Sequence, residues 1–156
     1  MTNRSRFRSR APLIVPFVLA IVAGPVTPPA AAADSPPLVA SDAWVRAAPS
    51  VQMNTAAFMG LRNASAADVA IVGVKSPAAR VAELHEMRDD NGVMRMRKVD
   101  RLVVPAQGML RLEPGGLHVM LFQLTAPLEP GATVTLQFTL ADGSTVDVTA
   151  RVRALK

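Results

Sequence analysis

The sequence predicts an all-β domain, an antiparallel β-sandwich of Greek-key type. Three observations favour this fold class. After residue 40 the chain divides into short segments rich in β-branched residues, with turn residues between them. Two of the junctions contain Asn-Gly or Asp-Gly, and no helical pattern of about ten residues occurs beyond the N-terminal leader. The length of 156 residues favours one compact domain.

About eight or nine strands are predicted at close spacing, each ended by turn residues. They cover residues 43–46, 55–62, 69–75, 81–87, 93–99, 109–112, 117–124, 133–141 and 144–153. Trp44, the only tryptophan, is expected to anchor the core from the first strand. Asn91-Gly92 predicts a hairpin between the fourth and fifth strands, and Asp142-Gly143 predicts one between the last two.

The first 33 residues are predicted to form a secretory signal peptide. Four arginines between residues 4 and 10 form a basic start, 14 mainly apolar residues (11–24) follow, and Ala31-Ala32-Ala33 is the expected cleavage site. A membrane span needs about 20 apolar residues, so this stretch, interrupted by two prolines, is too short. Because the sequence has no cysteine and no twin-arginine pair, we expect export by the general secretory route without a lipid anchor.

The rest of the chain is predicted to consist of a lead-in and a folded domain. Residues 34–40, which include Pro36-Pro37, are interpreted as a flexible lead-in, and residues 41–156 as the β-sandwich. We expect this mature chain to be periplasmic, monomeric and without a membrane span.

The basic charge of the chain lies mainly in the leader. The full sequence has 17 Lys+Arg, 12 Asp+Glu and a net charge of +5, which by itself favours an anionic partner. Without the four leader arginines, 13 basic and 12 acidic residues remain, so the mature chain would have a charge of +1. Its four aromatic residues, Trp44, Phe58, Phe122 and Phe138, offer little stacking surface. A nucleic-acid partner is therefore not expected.

The absence of cysteine excludes several kinds of site. A disulfide framework, a thiolate zinc finger, an iron–sulfur cluster and a catalytic thiol all require cysteine. An electron-transfer cupredoxin also requires a cysteine thiolate at its copper, so that class is excluded. A hydrolase with a Ser-His-Asp triad is disfavoured, because both histidines belong to another motif and no serine has nucleophile-elbow glycines around it. We therefore do not expect an enzyme.

Both histidines of the chain begin the same short motif, His-x-Met. The two copies occupy residues 85–87 and 118–120, and a further pair, Met94 and Met96, lies between them. Residues two apart on a strand point to the same face, so each pair presents two donor atoms side by side.

The turn at Asn91-Gly92 limits how the neighbouring strands can pair. A two-residue loop places Met87 opposite Met96, with His85 diagonally across, whereas a four-residue loop places His85 opposite Met96. Both registers put these residues and Met94 on one face of the hairpin. Only a loop of odd length or a bulge would separate them.

Thioether sulfur and imidazole nitrogen together indicate a soft metal ion. Without thiolate, a set of thioethers and imidazoles suits Cu(I) better than zinc, magnesium or calcium. These donors are neutral, which favours transfer of the ion over permanent storage. Methionine is also a common core filler, and a histidine can be purely structural. That alternative is favoured for Met53, Met59 and Met109, whereas the repeated His-x-Met motif favours a metal site.

At these spacings the chain resembles the periplasmic copper chaperones of the PCu(A)C family. The family signature is His, ten residues, Met, twenty-one residues and then His-x-Met, which His85, Met96, His118 and Met120 match here. The resemblance covers nearly all of residues 40–153, and it extends to the sequence around the signature and near both ends of the domain. Those stretches are residues 84–96, 114–121, 42–46 and 142–144.

The resemblance implies a fold, a cargo and partners. It implies a cupredoxin-like β-sandwich that binds one Cu(I) through His85, Met96, His118 and Met120. It also implies delivery of copper towards the CuA centre of cytochrome c oxidase, with subunit II of the oxidase or another copper chaperone as the receiving protein. The two hairpin methionines outside the signature are interpreted as neighbours that shield or assist the site. A periplasmic protein that sequesters copper for tolerance is the alternative function.

Overall fold

The computed structural model describes residues 37–48 and 53–154, which form ten β-strands. The strands are β1 (Leu38–Arg46), β2 (Asn54–Asn63), β3 (Val69–Lys75), β4 (Ala79–Asp90), β5 (Val93–Lys98), β6 (Leu102–Val104), β7 (Met109–Leu112), β8 (Leu117–Leu124), β9 (Thr133–Leu140) and β10 (Thr145–Arg153). These residues contain no helix long and apolar enough to cross a bilayer. The all-β prediction is confirmed, while the predicted signal peptide of residues 1–33 lies outside the described residues.

The described strands are hydrogen-bonded along one continuous path that encloses a single core. Their order is β5-β4-β8-β2-β1-β10-β9-β3-β6, and β7 also pairs with β2. Leu84 and Val119, from the first half of this order, belong to the same buried apolar cluster as Leu136 and Phe138, from the second half. The two halves therefore cover one another as the layers of a sandwich.

One strand pair departs from the predicted antiparallel pattern. β1 pairs antiparallel with β2 but parallel with β10, where Trp44 is opposite Arg151. β1 and β10 come from opposite ends of the domain, so no turn motif in the sequence indicates that they pair. The sandwich is thus antiparallel except at this junction.

Most strand boundaries follow the prediction, and two regions differ from it. β1 begins at Leu38, inside the predicted lead-in of residues 34–40, because Leu38 is buried in the core and pairs with Asn63. A bulge between Ser41 and Trp44 interrupts the period-two pattern by which a strand is identified. β6 has no predicted counterpart, because its three residues are too few to show a period.

The β4–β5 hairpin has the shorter of the two predicted loops. Asn91 and Gly92 both have positive φ, 54° and 85°, as a type I′ turn requires. The pairing of the two strands continues to Asp90 and Val93, the residues on either side of this turn, and Met87 is opposite Met96. The alternative register, in which His85 would face Met96, is excluded.

Of the three methionines expected to fill the core, one does so. Met59 is buried in the core cluster. Met53 and Met109 are 56% and 48% exposed, so the prediction is wrong for both. Met109 is the first residue of β7, and Met53 directly precedes β2; both side chains lie at the surface.

Trp44 lies outside the core cluster, contrary to the prediction that it anchors the core. Its neighbour Val45 is fully buried, and alternation along the strand therefore turns Trp44 to the opposite face. There its ring packs on Phe58 at a centroid distance of 4.6 Å. The guanidinium of Arg153 lies 5.9 Å from the indole and forms an ion pair with Asp42.

Asn63 is a fully buried polar residue at the end of β2. Its Nδ2 donates to the carbonyl oxygens of Ala67, at 2.7 Å, and Val104, at 3.1 Å. Its Oδ1 accepts from the backbone N–H and the hydroxyl of Ser65. The side chain thus closes the turn after β2 and joins it to the end of β6.

Candidate metal centre

Three neighbouring strands, β5, β4 and β8, bring the predicted donor residues to one face of the sheet, away from the core. His85 on β4 is opposite His118 on β8, and Met87 on β4 is opposite Met96 on β5. Side chains alternate along a strand, so the residues next to these donors point to the other face. Leu84, directly before His85, and Val119, directly after His118, are buried in the core. On β4 and β8, donor residues and core residues are therefore direct neighbours.

Three of the four signature residues line one cavity of about 240 Å³. They are Met96, His118 and Met120, and Met87 joins them there. The rest of the lining comes from β1, β2 and the loop before β8: Arg46, Ala56, Phe58, Pro114 and Gly115. Met94 is on the same hairpin face but closer to the turn, where it is half-exposed and outside this lining. Met87 is therefore the better placed of the two hairpin methionines to assist the site.

The fourth signature residue, His85, lies beside the cavity and not in its lining. Its ring centroid is 6.0 Å from that of His118, and it is covered on another side by Phe122 at 5.7 Å. Both imidazoles are buried, at 8% and 5% exposure. The structure thus places all four signature residues in one neighbourhood, with the two histidines deepest.

Hydrogen bonding orients the His118 ring. Its Nδ1 is 3.0 Å from the carbonyl oxygen of Gly116, which can only accept, so Nδ1 carries the proton. The other nitrogen, Nε2, then has a free lone pair and lies 3.3 Å from the sulfur of Met96. A fixed backbone acceptor of this kind is the usual way in which proteins orient a metal-binding imidazole.

His85 is oriented in the opposite sense. Its Nε2 is 3.0 Å from a carboxylate oxygen of Glu83. Hydrogen bonds from His85 and Lys98 lower the pKa of the Glu83 carboxyl, which is therefore ionised at neutral pH and acts as the acceptor. The remaining nitrogen, Nδ1, is buried and has no hydrogen-bond partner among the described residues.

The unpartnered nitrogen of His85 suits a soft cation. A buried polar atom without a partner costs free energy, and a metal ion bound by its lone pair would remove that cost. In the described part of the chain, no group of three His, Asp or Glu residues is placed to hold a hard ion. The donors that converge here are imidazole nitrogens and thioether sulfurs, a combination that suits Cu(I).

The loop between β7 and β8 supports the cavity from one side. Both strands run antiparallel to β2, so the loop is an outward bulge along the edge of that strand. Gly115 has a φ of 83°, which favours glycine at this point of the bulge. The carbonyl oxygen of Gly116 accepts from the backbone N–H of Met87 as well as from the His118 ring, and so joins β4 to β8.

Sequence reasoning gave no role to three residues at this site. Glu83 precedes His85 by two positions, so strand alternation alone could have placed it on the donor face. Arg46 follows Trp44 by two, and with Trp44 expected in the core, alternation alone would have turned Arg46 to the core face. Phe58, 6.2 Å from the His118 ring between centroids, arrives from β2 through a pairing that no local motif indicates.

We expect the two imidazoles of the metal-free protein to hold opposite tautomers. His85 should carry its proton on Nε2 and His118 on Nδ1, because their acceptors are Glu83 and the Gly116 carbonyl. Long-range ¹H–¹⁵N correlation spectra distinguish the two tautomers. Glu83→Ala should release only the His85 preference. The same tautomer on both rings would contradict this orientation.

Comparisons with known proteins place the chain in a family. A family model described as "LpqE-like: Putative lipoprotein LpqE-like" matches residues 38–152. A putative lipoprotein of Leifsonia xyli subsp. xyli (strain CTCB07) is 40% identical over 114 residues, which cover 72% of this chain and 68% of that protein.

Solved structures agree with this placement. The solution structure of the copper(I) form of DR1885 from Deinococcus radiodurans is 36% identical, with a TM-score of 0.62, over 79% of this chain and 83% of that one. The copper-bound PCuAC domain from PmoF2 has a TM-score of 0.64 at 20% identity, over 76% and 94% of the two chains, and shows the same fold. The resemblance to the PCu(A)C family is confirmed, and this chain belongs to the LpqE-like family.

Proposed function

We propose that this protein is an exported copper chaperone that binds one Cu(I) through His85, Met96, His118 and Met120 and gives it to a receiving protein. The observation that carries the proposal is the pair of unprotonated imidazole nitrogens beside a thioether-lined cavity. His85 would bind through Nδ1 and His118 through Nε2, the nitrogens that their hydrogen bonds leave free. The copper(I) form of the related DR1885 supports the choice of ion.

The exposure of the site favours delivery over sequestration. The histidines are buried, but Met96 is 46% exposed and lies on β5, an edge strand of the sheet. An incoming ligand can therefore reach the copper from the side of Met96 while the imidazoles still hold it. The thioether and imidazole donors are neutral, so the departing copper ion does not have to be separated from a negative charge.

The leader and the relatives favour a location outside the cytoplasm. The basic, apolar and small-residue pattern of residues 1–33 is typical of an exported protein, and the related proteins are named putative lipoproteins. We therefore place the protein in the periplasm as a monomer without catalytic activity. The proposed recipient is the CuA centre in subunit II of cytochrome c oxidase or another copper chaperone.

A competitive titration tests the ion and the stoichiometry. Under anaerobic conditions the protein should take one equivalent of Cu(I) from a chromophoric chelator and bind Zn(II) much more weakly. Binding of Zn(II) as tight as that of Cu(I) would overturn the soft-donor argument.

Transfer kinetics separate delivery from sequestration. A chaperone should pass Cu(I) to a metal-free CuA domain at a rate that rises with the concentration of that domain, because the transfer needs a direct encounter. A rate that is independent of the acceptor and equal to spontaneous release would indicate a protein that holds copper instead.

A further inference from the structure

One cation lies in the wall of the cavity that is lined by three of the proposed copper ligands, Met96, His118 and Met120. Arg46 is the only charged residue in the described lining, where its neighbours are thioether, imidazole, aromatic and small apolar groups. It reaches this position because it follows Trp44 by two residues on β1 and shares the face that is turned away from the core. Its guanidinium is a cation, so the cavity has a positive charge beside it.

Arg46 has no carboxylate partner, unlike two other arginines of the sheet. Arg153, opposite it on β10, is paired with Asp42, and Arg97, on the more distant β5, is paired with Glu86. None of the ion pairs in residues 37–48 and 53–154 includes Arg46. Its Nε is buried and has no hydrogen-bond acceptor among those residues. A buried, unpaired N–H on a charged group favours binding of an anionic acceptor.

We propose that Arg46 is a docking group for a soft anionic ligand of copper, a thiolate, that enters the cavity when the ion is transferred. This inference rests on the proposed function and names the chemistry of the incoming ligand. Thiolate is the softest donor that a protein or a small thiol can offer to Cu(I). All of the resident donors are neutral, so the guanidinium is the one group in the lining that stabilises the negative charge of that ligand.

The exchange keeps the charges and electrons balanced. A bond forms between the thiolate sulfur and Cu(I), and a bond from copper to a thioether, such as that of the half-exposed Met96, breaks. The copper stays Cu(I) throughout. The thiolate contributes one negative charge, which the copper and the nearby Arg46 offset, and the released thioether is neutral.

The test compares two soft ligands that differ in charge. Cu(I)-loaded protein is titrated anaerobically with thiocyanate, an anion, and with thiourea, a neutral molecule, while the methionine methyl signals are followed by NMR. Arg46→Leu should weaken thiocyanate binding about tenfold, the usual effect of losing one charge-assisted contact, and should leave thiourea binding unchanged. Arg46→Lys keeps the positive charge and should retain most of the preference for thiocyanate.

Arg97→Leu is the matched control, because Arg97 is exposed and lies outside the cavity lining. It should alter neither affinity. Unchanged thiocyanate binding in Arg46→Leu, or an equal loss for both ligands, would overturn the proposal, since an arginine that only shapes the site does not discriminate by ligand charge. If the wild-type protein did not bind Cu(I) at all, this would be seen before the titration, and it would refute both the proposed function and this inference.

Discussion

Substitution of Met120 by leucine is expected to weaken Cu(I) binding at least about 100-fold. Loss of a residue that only supports a metal ligand typically costs 10–100-fold in affinity, and loss of a ligand should cost more. Leucine keeps the apolar volume and removes only the sulfur, so the cavity should remain intact. His118→Ala should produce a loss of the same order, because it removes the Nε2 lone pair that faces Met96. Competition with a chromophoric Cu(I) chelator measures both.

Met109→Leu provides the control for these variants. Met109 is 48% exposed and lies outside the described cavity, so its thioether should not contribute to binding. One tight equivalent of Cu(I) that survives both Met120→Leu and His118→Ala would refute the proposed ligand set. If Met109→Leu lost as much Cu(I) affinity as Met120→Leu, the loss in Met120→Leu could not be attributed to removal of a copper ligand.

Asn63→Ala is expected to lower the free energy of unfolding by about 3 kcal/mol. The substitution leaves the carbonyl oxygens of Ala67 and Val104 and the N–H of Ser65 without their partner, and each buried unpaired group costs about 1–3 kcal/mol. Urea denaturation of the metal-free protein measures the change without any contribution from bound copper.

The matched variant is Asn54→Ala, at the opposite end of the same strand. Asn54 is exposed and makes one longer bond, 3.3 Å from its Oδ1 to the N–H of Gln123, so its loss should change stability by about 0.5 kcal/mol or less. Equal destabilisation by the two substitutions would contradict the role assigned to burial. Unchanged Cu(I) affinity in both variants is also expected, since neither side chain lines the cavity.

Local patterns in the sequence were sufficient to predict most of the strands and the face on which the signature residues lie. Alternation along β4 and β8 and the Asn91-Gly92 turn are properties of neighbouring residues, and these placed His85, Met87 and Met96 on one face of a hairpin. The choice between the two loop lengths required the backbone conformation of the turn. Sequence could limit that choice to two registers but could not make it.

The features that sequence did not predict depend on contacts between distant segments. The parallel pairing of β1 with β10 joins the two ends of the domain, and it follows from packing that no turn motif records. The bulge between Ser41 and Trp44 interrupts the alternation along β1. For that reason the pattern in the sequence indicated neither where β1 begins nor which face Trp44 occupies. The placement of Arg46 in the cavity and the deeper position of His85 arise from the same long-range assembly.

The alternation of donor residues with core residues separates two kinds of evolutionary constraint. Val119, between His118 and Met120, is fully buried in the core, while its two neighbours face the cavity. Selection for metal preference and selection for folding therefore act on different positions of the same strand. A lineage could exchange thioether for imidazole at Met120, and so change the ion that it carries, while the sandwich beneath kept its packing.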